Sequence, residues 1–126
     1  MKKAPLLFFC LLFLATAFAQ DGLKRIILGK EFAKRELSDA LVNTAKKHVL
    51  VDKVIKNKST AISVAEAMVF SIYGKEQIIR QRPYESYLID GYWVNSGTLP
   101  KERVGGTFLI IINSVDGKVI KLEHGQ

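Results

Sequence analysis

The sequence predicts an α+β fold, with N-terminal helices packed on one face of a four-stranded antiparallel meander. Three observations carry this expectation: a helical apolar period between Ser59 and Tyr73, a change to strand-like composition from Tyr84 onward, and Asp-Gly dipeptides placed between consecutive strand segments.

The elements follow in chain order. From Lys24 to Lys58 the chain is charged and free of proline. Within it Phe32, Ala33, Leu37, Ala40, Leu41 and Ala45 recur at roughly helical spacing, and Glu31 with Arg35 makes an i,i+4 pair contributing about 0.2–0.5 kcal/mol. A second helix begins where Ser59 or Thr60 supplies an N-cap, carries the stripe Ile62, Ala65, Met68, Val69, Ile72 and Tyr73, and ends at Gly74. Glu66, near its first turn, suits the positive end of the helix dipole. Four strands are expected over Tyr84–Ile89, Tyr92–Thr98, Thr107–Ile112 and Lys118–His124, each rich in aromatic and β-branched residues and bounded by turn formers. Asp90-Gly91 and Asp116-Gly117 read as two-residue type I′ turns, which need positive φ at both central positions and join antiparallel neighbours. Residues 99–106 form a longer polar connection, and the run Phe108-Leu109-Ile110-Ile111-Ile112 predicts a central strand buried on both faces.

Ahead of these elements, Lys2 and Lys3, an apolar block from Leu6 to Leu14, and Ala17-Phe18-Ala19 form the pattern of a cleaved export signal over residues 1–19. The apolar block is shorter than the ~20 residues a spanning helix needs. Cys10 lies inside that block, whereas a lipidation cysteine should follow it. Removing residues 1–19 from the 126-residue chain leaves 107 residues, enough for one domain with a modest core and without cysteine. That composition excludes a disulfide framework, a thiolate metal site and a cysteine nucleophile from the mature chain. Localisation is therefore expected to be periplasmic or extracellular.

The mature chain holds 17 basic and 12 acidic residues once Lys2 and Lys3 are removed from the 19 Lys+Arg. The excess sits in the first third, since residues 20–58 carry ten basic and five acidic residues, while residues 59–126 carry seven of each. The division expected is a basic, helical segment over 20–58 and an α+β domain over 59–126. Basic residues such as Lys46, Lys47, Lys53, Lys56 and Lys58 suit weak contact with an anionic envelope surface, although such runs are most often solvated faces.

Candidates for chemistry are sparse. His48 and His124 are the two histidines. His48 has Asp52 at i+4, and His124 shares a strand face with Ile120 and Leu122, which suits packing or hydrogen bonding. No zinc spacing, phosphate-binding loop, dinucleotide glycine pattern or nucleophile elbow occurs, so neither cofactor nor catalytic residue is assigned. Aromatic and arginine side chains are the usual interface anchors, which draws attention to Tyr84, Tyr87, Tyr92, Trp93, Arg80, Arg82 and Arg103, with Trp93 reading more readily as core. An exported chain is a poor candidate for nucleic-acid binding.

The ordered motifs Thr60-Ala61, Ala65-Glu66-Ala67, Tyr73-Gly74, Ile78, Gln81-Arg82-Pro83-Tyr84, Trp93-Val94, Gly97-Thr98-Leu99-Pro100, Gly105-Gly106, Asp116-Gly117 and His124-Gly125 resemble the bacterial NTF2-fold immunity protein family, also called YbbC-like, over roughly residues 60–126. The resemblance implies an NTF2-like body, whereas the strand pattern alone is closer to a cystatin-like layout. It implies a non-enzymatic protein that binds and neutralises a cognate toxin in bacterial competition. On that reading the partner-binding side chains are Arg82, Tyr84, Tyr92, Trp93, Lys101, Glu102, Arg103 and His124. The alternative is an envelope protein with a small-ligand, hydrolase-like or isomerase-like pocket, for which a closed cavity holding His124 or Asp90 would speak.

Overall fold

The computed structural model describes residues 24–126, so the export signal, its cleavage position and Cys10 lie outside the described residues. The described residues fall into two units that part between Thr44 and Ala45. In the first, helix α1 runs over Gly29–Val42 and buries none of its residues. Ala45 falls beyond its end at Asn43. Glu31 pairs with Lys34 at 2.8 Å rather than with Arg35, whose guanidinium lies 6.0 Å from the Phe32 ring centre. The aromatic face three positions back has taken the partner that i,i+4 spacing assigned to Glu31.

The second unit is organised around helix α2, Lys58–Tyr73, laid against one face of an antiparallel sheet. The cap is Asn57, not Ser59 or Thr60: Asn57 is extended, and its Oδ1 accepts the Thr60 N–H at 2.8 Å. The buried face is Ala61, Ala65 and Val69, flanked by partly buried Val64, Met68 and Tyr73, so the expected stripe is rotated and Ile72 lies on the exposed side. Small alanines at i and i+4 let the helix backbone approach the sheet closely. Gly74, at φ 93°, ends α2 and starts the short helix α3, Lys75–Ile79, which the sequence reading missed and which places Ile78 in the core.

Strands β1 Glu85–Ile89, β2 Tyr92–Ser96, β3 Phe108–Asn113 and β4 Val119–His124 pair in sequential order, each antiparallel to the next. The fold class is α+β, as the period change indicates. Asp90 and Gly91 both have positive φ, 49° and 84°, which is the expected two-residue turn. At the second Asp-Gly only Gly117 is positive. There Asn113 Oδ1 accepts from Val115 N and Asp116 Oδ1 from Lys118 N, both at 2.9 Å, and these side-chain acceptors stabilise a longer loop over residues 114–117. Beside it a register shift between Ile111 and Ile112 leaves Ile120 of β4 bulged.

Strand β3 is central, but only one of its faces is fully covered. Phe108, Ile110 and Ile112 point at α2 and are completely buried, while Leu109 and Ile111 on the other face are half-buried. Burying each large apolar side chain contributes roughly 1.5–3 kcal/mol. The same core includes Ile55, from a segment that runs across the turn end of the sheet: Val54 N and Ile55 N donate to Ser114 O at 3.0 and 3.1 Å, and Trp93 Nε1 donates to Ile55 O at 3.0 Å. Buried Asn95 accepts from Ser86 Oγ at 2.6 Å, and no buried side-chain polar atom among the described residues lacks a partner.

Candidate functional site

Gln81, just beyond α3, is almost completely buried and ties the end of the sheet to the helices. Its Oε1 accepts the Phe108 N–H at 2.9 Å, and its backbone carbonyl accepts the Thr98 N–H at 2.8 Å. Because a backbone N–H can only donate, the amide orientation is fixed, and Nε2 is the atom that donates to His124 Nε2 at 2.9 Å. His124 then carries its proton on Nδ1 and donates it to Gly125 O at 2.7 Å, a tautomer assigned by this network. The ring also packs on Tyr73, with centroids 5.0 Å apart. Both ring nitrogens of His124 are thus engaged within the fold.

The motif glycines belong to the same construction. A Cβ on Gly97 would overlap Gln81 Oε1, and one on Gly106 would overlap the Gly125 backbone. Gly97, Gly106 and Gly125 therefore allow three chain segments to close around one buried amide. Outside this knot lies an open cleft of about 390 Å³, whose walls include Arg80, Gln81, Leu99, Arg103, Val104 and His124.

A second cluster stands at the start of the sheet. Arg82 donates from Nη2 and Nε to the two Glu66 carboxylate oxygens at 2.6 and 3.1 Å, and its Nε lies 3.3 Å from the Tyr84 hydroxyl. Tyr84 packs edge-on against Phe108, with centroids 5.2 Å apart. Burial works against the Glu66 charge, but hydrogen bonds from Arg82 and Tyr84 outweigh it and hold the carboxyl below its usual range. Burial, followed by the neighbouring Glu66 carboxylate, pushes the Tyr84 hydroxyl up. A groove of about 660 Å³ runs beside this cluster and is lined in part by Ile62 and Pro83.

The sheet face opposite α2 carries Tyr87, Ile89, Tyr92, Val94, Leu109 and Ile111, aligned across three strands by the pairs Tyr87↔Val94, Ile89↔Tyr92 and Val94↔Ile111. Tyr87 and Ile89 are each about half exposed.

The side chains singled out by sequence are therefore distributed. Arg103 and His124 share the cleft, Arg82 and Tyr84 share the ion-paired groove, and Tyr92 lies on the open sheet face. Lys101 and Glu102 form an exposed turn in the connection between β2 and β3. Trp93 is apart from all of them, buried in the core with its indole N–H directed to Ile55. Asp90 occupies a hairpin turn away from the cleft. His48 and Asp52 do not share helical spacing, because residues 46–55 form no helix. Gln81 went unassigned by chemistry, although it opens one of the quoted motifs, whereas Arg80, named among the interface anchors, joins Arg103 at the cleft. Among the described residues, no cluster of His, Asp and Glu is arranged to hold a metal, and no helix is long and apolar enough to cross a membrane.

The segment holding α2, α3 and the whole sheet matches the family model described as NTF2 fold immunity protein, over residues 60–126. The chain belongs to the NTF2 fold immunity protein family. Two relatives from Escherichia coli K12, the uncharacterized proteins YhhH and YbbC, are each 34% identical over 77 residues, which is 60% of this chain and 61% and 63% of theirs. The chain spans about three fifths of the length of these relatives. No solved structure matches it. The immunity-family segment is the part of the chain in which Gln81 gathers the motif residues, so the motif is explained largely by how the fold closes.

Proposed function

We propose that this protein is exported and acts as an immunity protein, binding a cognate toxin domain and blocking it by occupancy, without a chemical step of its own. The observation that carries this reading is the immunity-family match, which coincides with the packed body from α2 to β4. The geometry supports a binding role in two further ways. Half-exposed Tyr87 and partly buried Tyr92 lie on one sheet face with aliphatic neighbours, the residue types that anchor protein interfaces. His124, the natural candidate for a general base, has both ring nitrogens engaged in holding the fold.

Export follows from residues 1–19 in this reading and places the toxin's target in the envelope. The basic excess fits the same picture, because a chain of this charge is complementary to an acidic partner surface and not a mimic of nucleic acid. The lysines over 46–58 add weak electrostatic attraction to an anionic envelope surface, which salt would screen.

The test is protection. Cells expressing the full chain are challenged with the toxin domain encoded beside its gene, delivered to the periplasm. Survival is expected with the full chain and death with an empty vector; equal killing in both would refute the immunity reading.

A further inference from the structure

We propose that the cleft outside Gln81 is a receptor for a carboxylate presented by a partner protein, with Arg80 and Arg103 as its clamp. The proposal rests on the protein-binding reading above and says which chemistry recognises the partner. Arg80 follows directly on α3, and Arg103 is set in the connection between β2 and β3 by a turn in which its N–H donates to Pro100 O at 2.9 Å. Both side chains line the same cleft, and neither has an ion-pair partner among the described residues. This contrasts with Arg82, whose guanidinium already holds the Glu66 carboxylate at both oxygens.

No Asp or Glu side chain lines the cleft, and Gln126, the last residue, which also lines it, makes no ion pair with either guanidinium group. Partly buried Leu99 supplies apolar wall beside them, with fully exposed Val104 at the rim, so an anion seated against Leu99 loses part of its water and feels the charges more strongly than in open solvent. A planar carboxylate matches the donor fork of arginine in a way that a rotating ammonium does not. Behind the cleft, the Gln81–His124 network keeps the wall rigid, because each polar atom in it already has its partner. The occupant is therefore a Glu or Asp side chain on the partner surface, entering between α3 and the connection.

The experiment is a ¹H–¹⁵N NMR titration of the full chain with N-acetyl-glutamate N-methylamide, with the glutamine counterpart and inorganic phosphate as comparison probes. Saturable shifts at the Arg80 and Arg103 side-chain N–H groups and at the Gly106 and Gly125 amides are expected for the glutamate probe, with a millimolar dissociation constant that weakens as salt is raised. Arg80→Gln and Arg103→Gln, both exposed positions, should each weaken binding about tenfold while leaving the unbound spectrum elsewhere unchanged. Absence of saturable shifts, or equal shifts with the glutamine probe, would overturn the proposal. Tighter binding of phosphate than of the glutamate probe would overturn the assignment to a protein carboxylate. Because no toxin takes part, failure here leaves the protection experiment untouched, and failure of protection leaves this titration interpretable.

Discussion

Replacing Gln81 by leucine keeps most of the side-chain volume and removes the hydrogen bonds of its side chain, while its backbone bond to Thr98 stays. Phe108 is completely buried, so its N–H, deprived of the 2.9 Å bond to Oε1, is left without an acceptor. That loss costs about 1–3 kcal/mol, and losing the bond to His124 adds about 0.5–1.5 kcal/mol. The sum, about 1.5–4.5 kcal/mol, corresponds to a fall in Tm of roughly 6–36 °C for a unit of this size. Urea unfolding followed by tryptophan fluorescence reads the effect directly, because Trp93 is the chain's single tryptophan and is buried in the same core. Gln77→Leu, at an exposed position in α3, serves as the control and should stay within about 0.5 kcal/mol. A Gln81→Leu loss below about 1 kcal/mol would refute the argument that one buried amide holds the end of the sheet to the helices.

Two further outcomes follow from local chemistry. The folded-state pKa of Glu66 lies below its unfolded value, so its ion pair with Arg82 contributes stability above the ordinary carboxylate range of roughly pH 4.3, and this contribution is lost as pH falls through the depressed folded value. Urea midpoints measured from neutral pH downward should therefore drop more steeply below that range for the natural chain than for Glu66→Gln; parallel profiles would contradict the ion-pair assignment. Asn57→Ala should cost about 1 kcal/mol through loss of the Thr60 N–H acceptor, with Ser59→Ala close to neutral in the same denaturation assay, and the reverse ranking would show that the cap has been misplaced.

The strands were legible because their determinants are local. Runs such as Phe108–Ile112 favour extended backbone, and Asp90-Gly91 accepts positive φ at both positions. The second Asp-Gly misled because the outcome depends on neighbours: Asn113 and Asp116 capture nearby N–H groups and lengthen the loop. The helix face was misjudged for a different reason. Ala61 carries little hydrophobic weight in a periodicity argument, yet its small size is what admits close packing, while larger Ile72 is left outside. Helix α3 was too short to show a period, and Asn57 was hidden between two lysines.

The cleft was legible only in fragments. Gln81 reaches Phe108 and His124, 27 and 43 positions away, and no local pattern marks a glutamine for such a role. Gly97, Gly106 and Gly125 were recognisable as motif residues, but the reason for them, the close passage of three segments, exists only once the sheet has formed. Arg103 and His124 were each named as partner-binding candidates with nothing to join them, and the fold brings both to one cleft, whereas Arg82 is engaged by Glu66. The surface chemistry of single residues could be read; their pairing required topology.

The central question is whether this small α+β body recognises a toxin. Isothermal titration of the full chain into any toxin domain found encoded beside its gene measures this most directly. A one-to-one complex with a submicromolar dissociation constant, accompanied by loss of the toxin domain's activity, is the expected result. Heats no greater than dilution, or binding that leaves the toxin domain fully active, would contradict it.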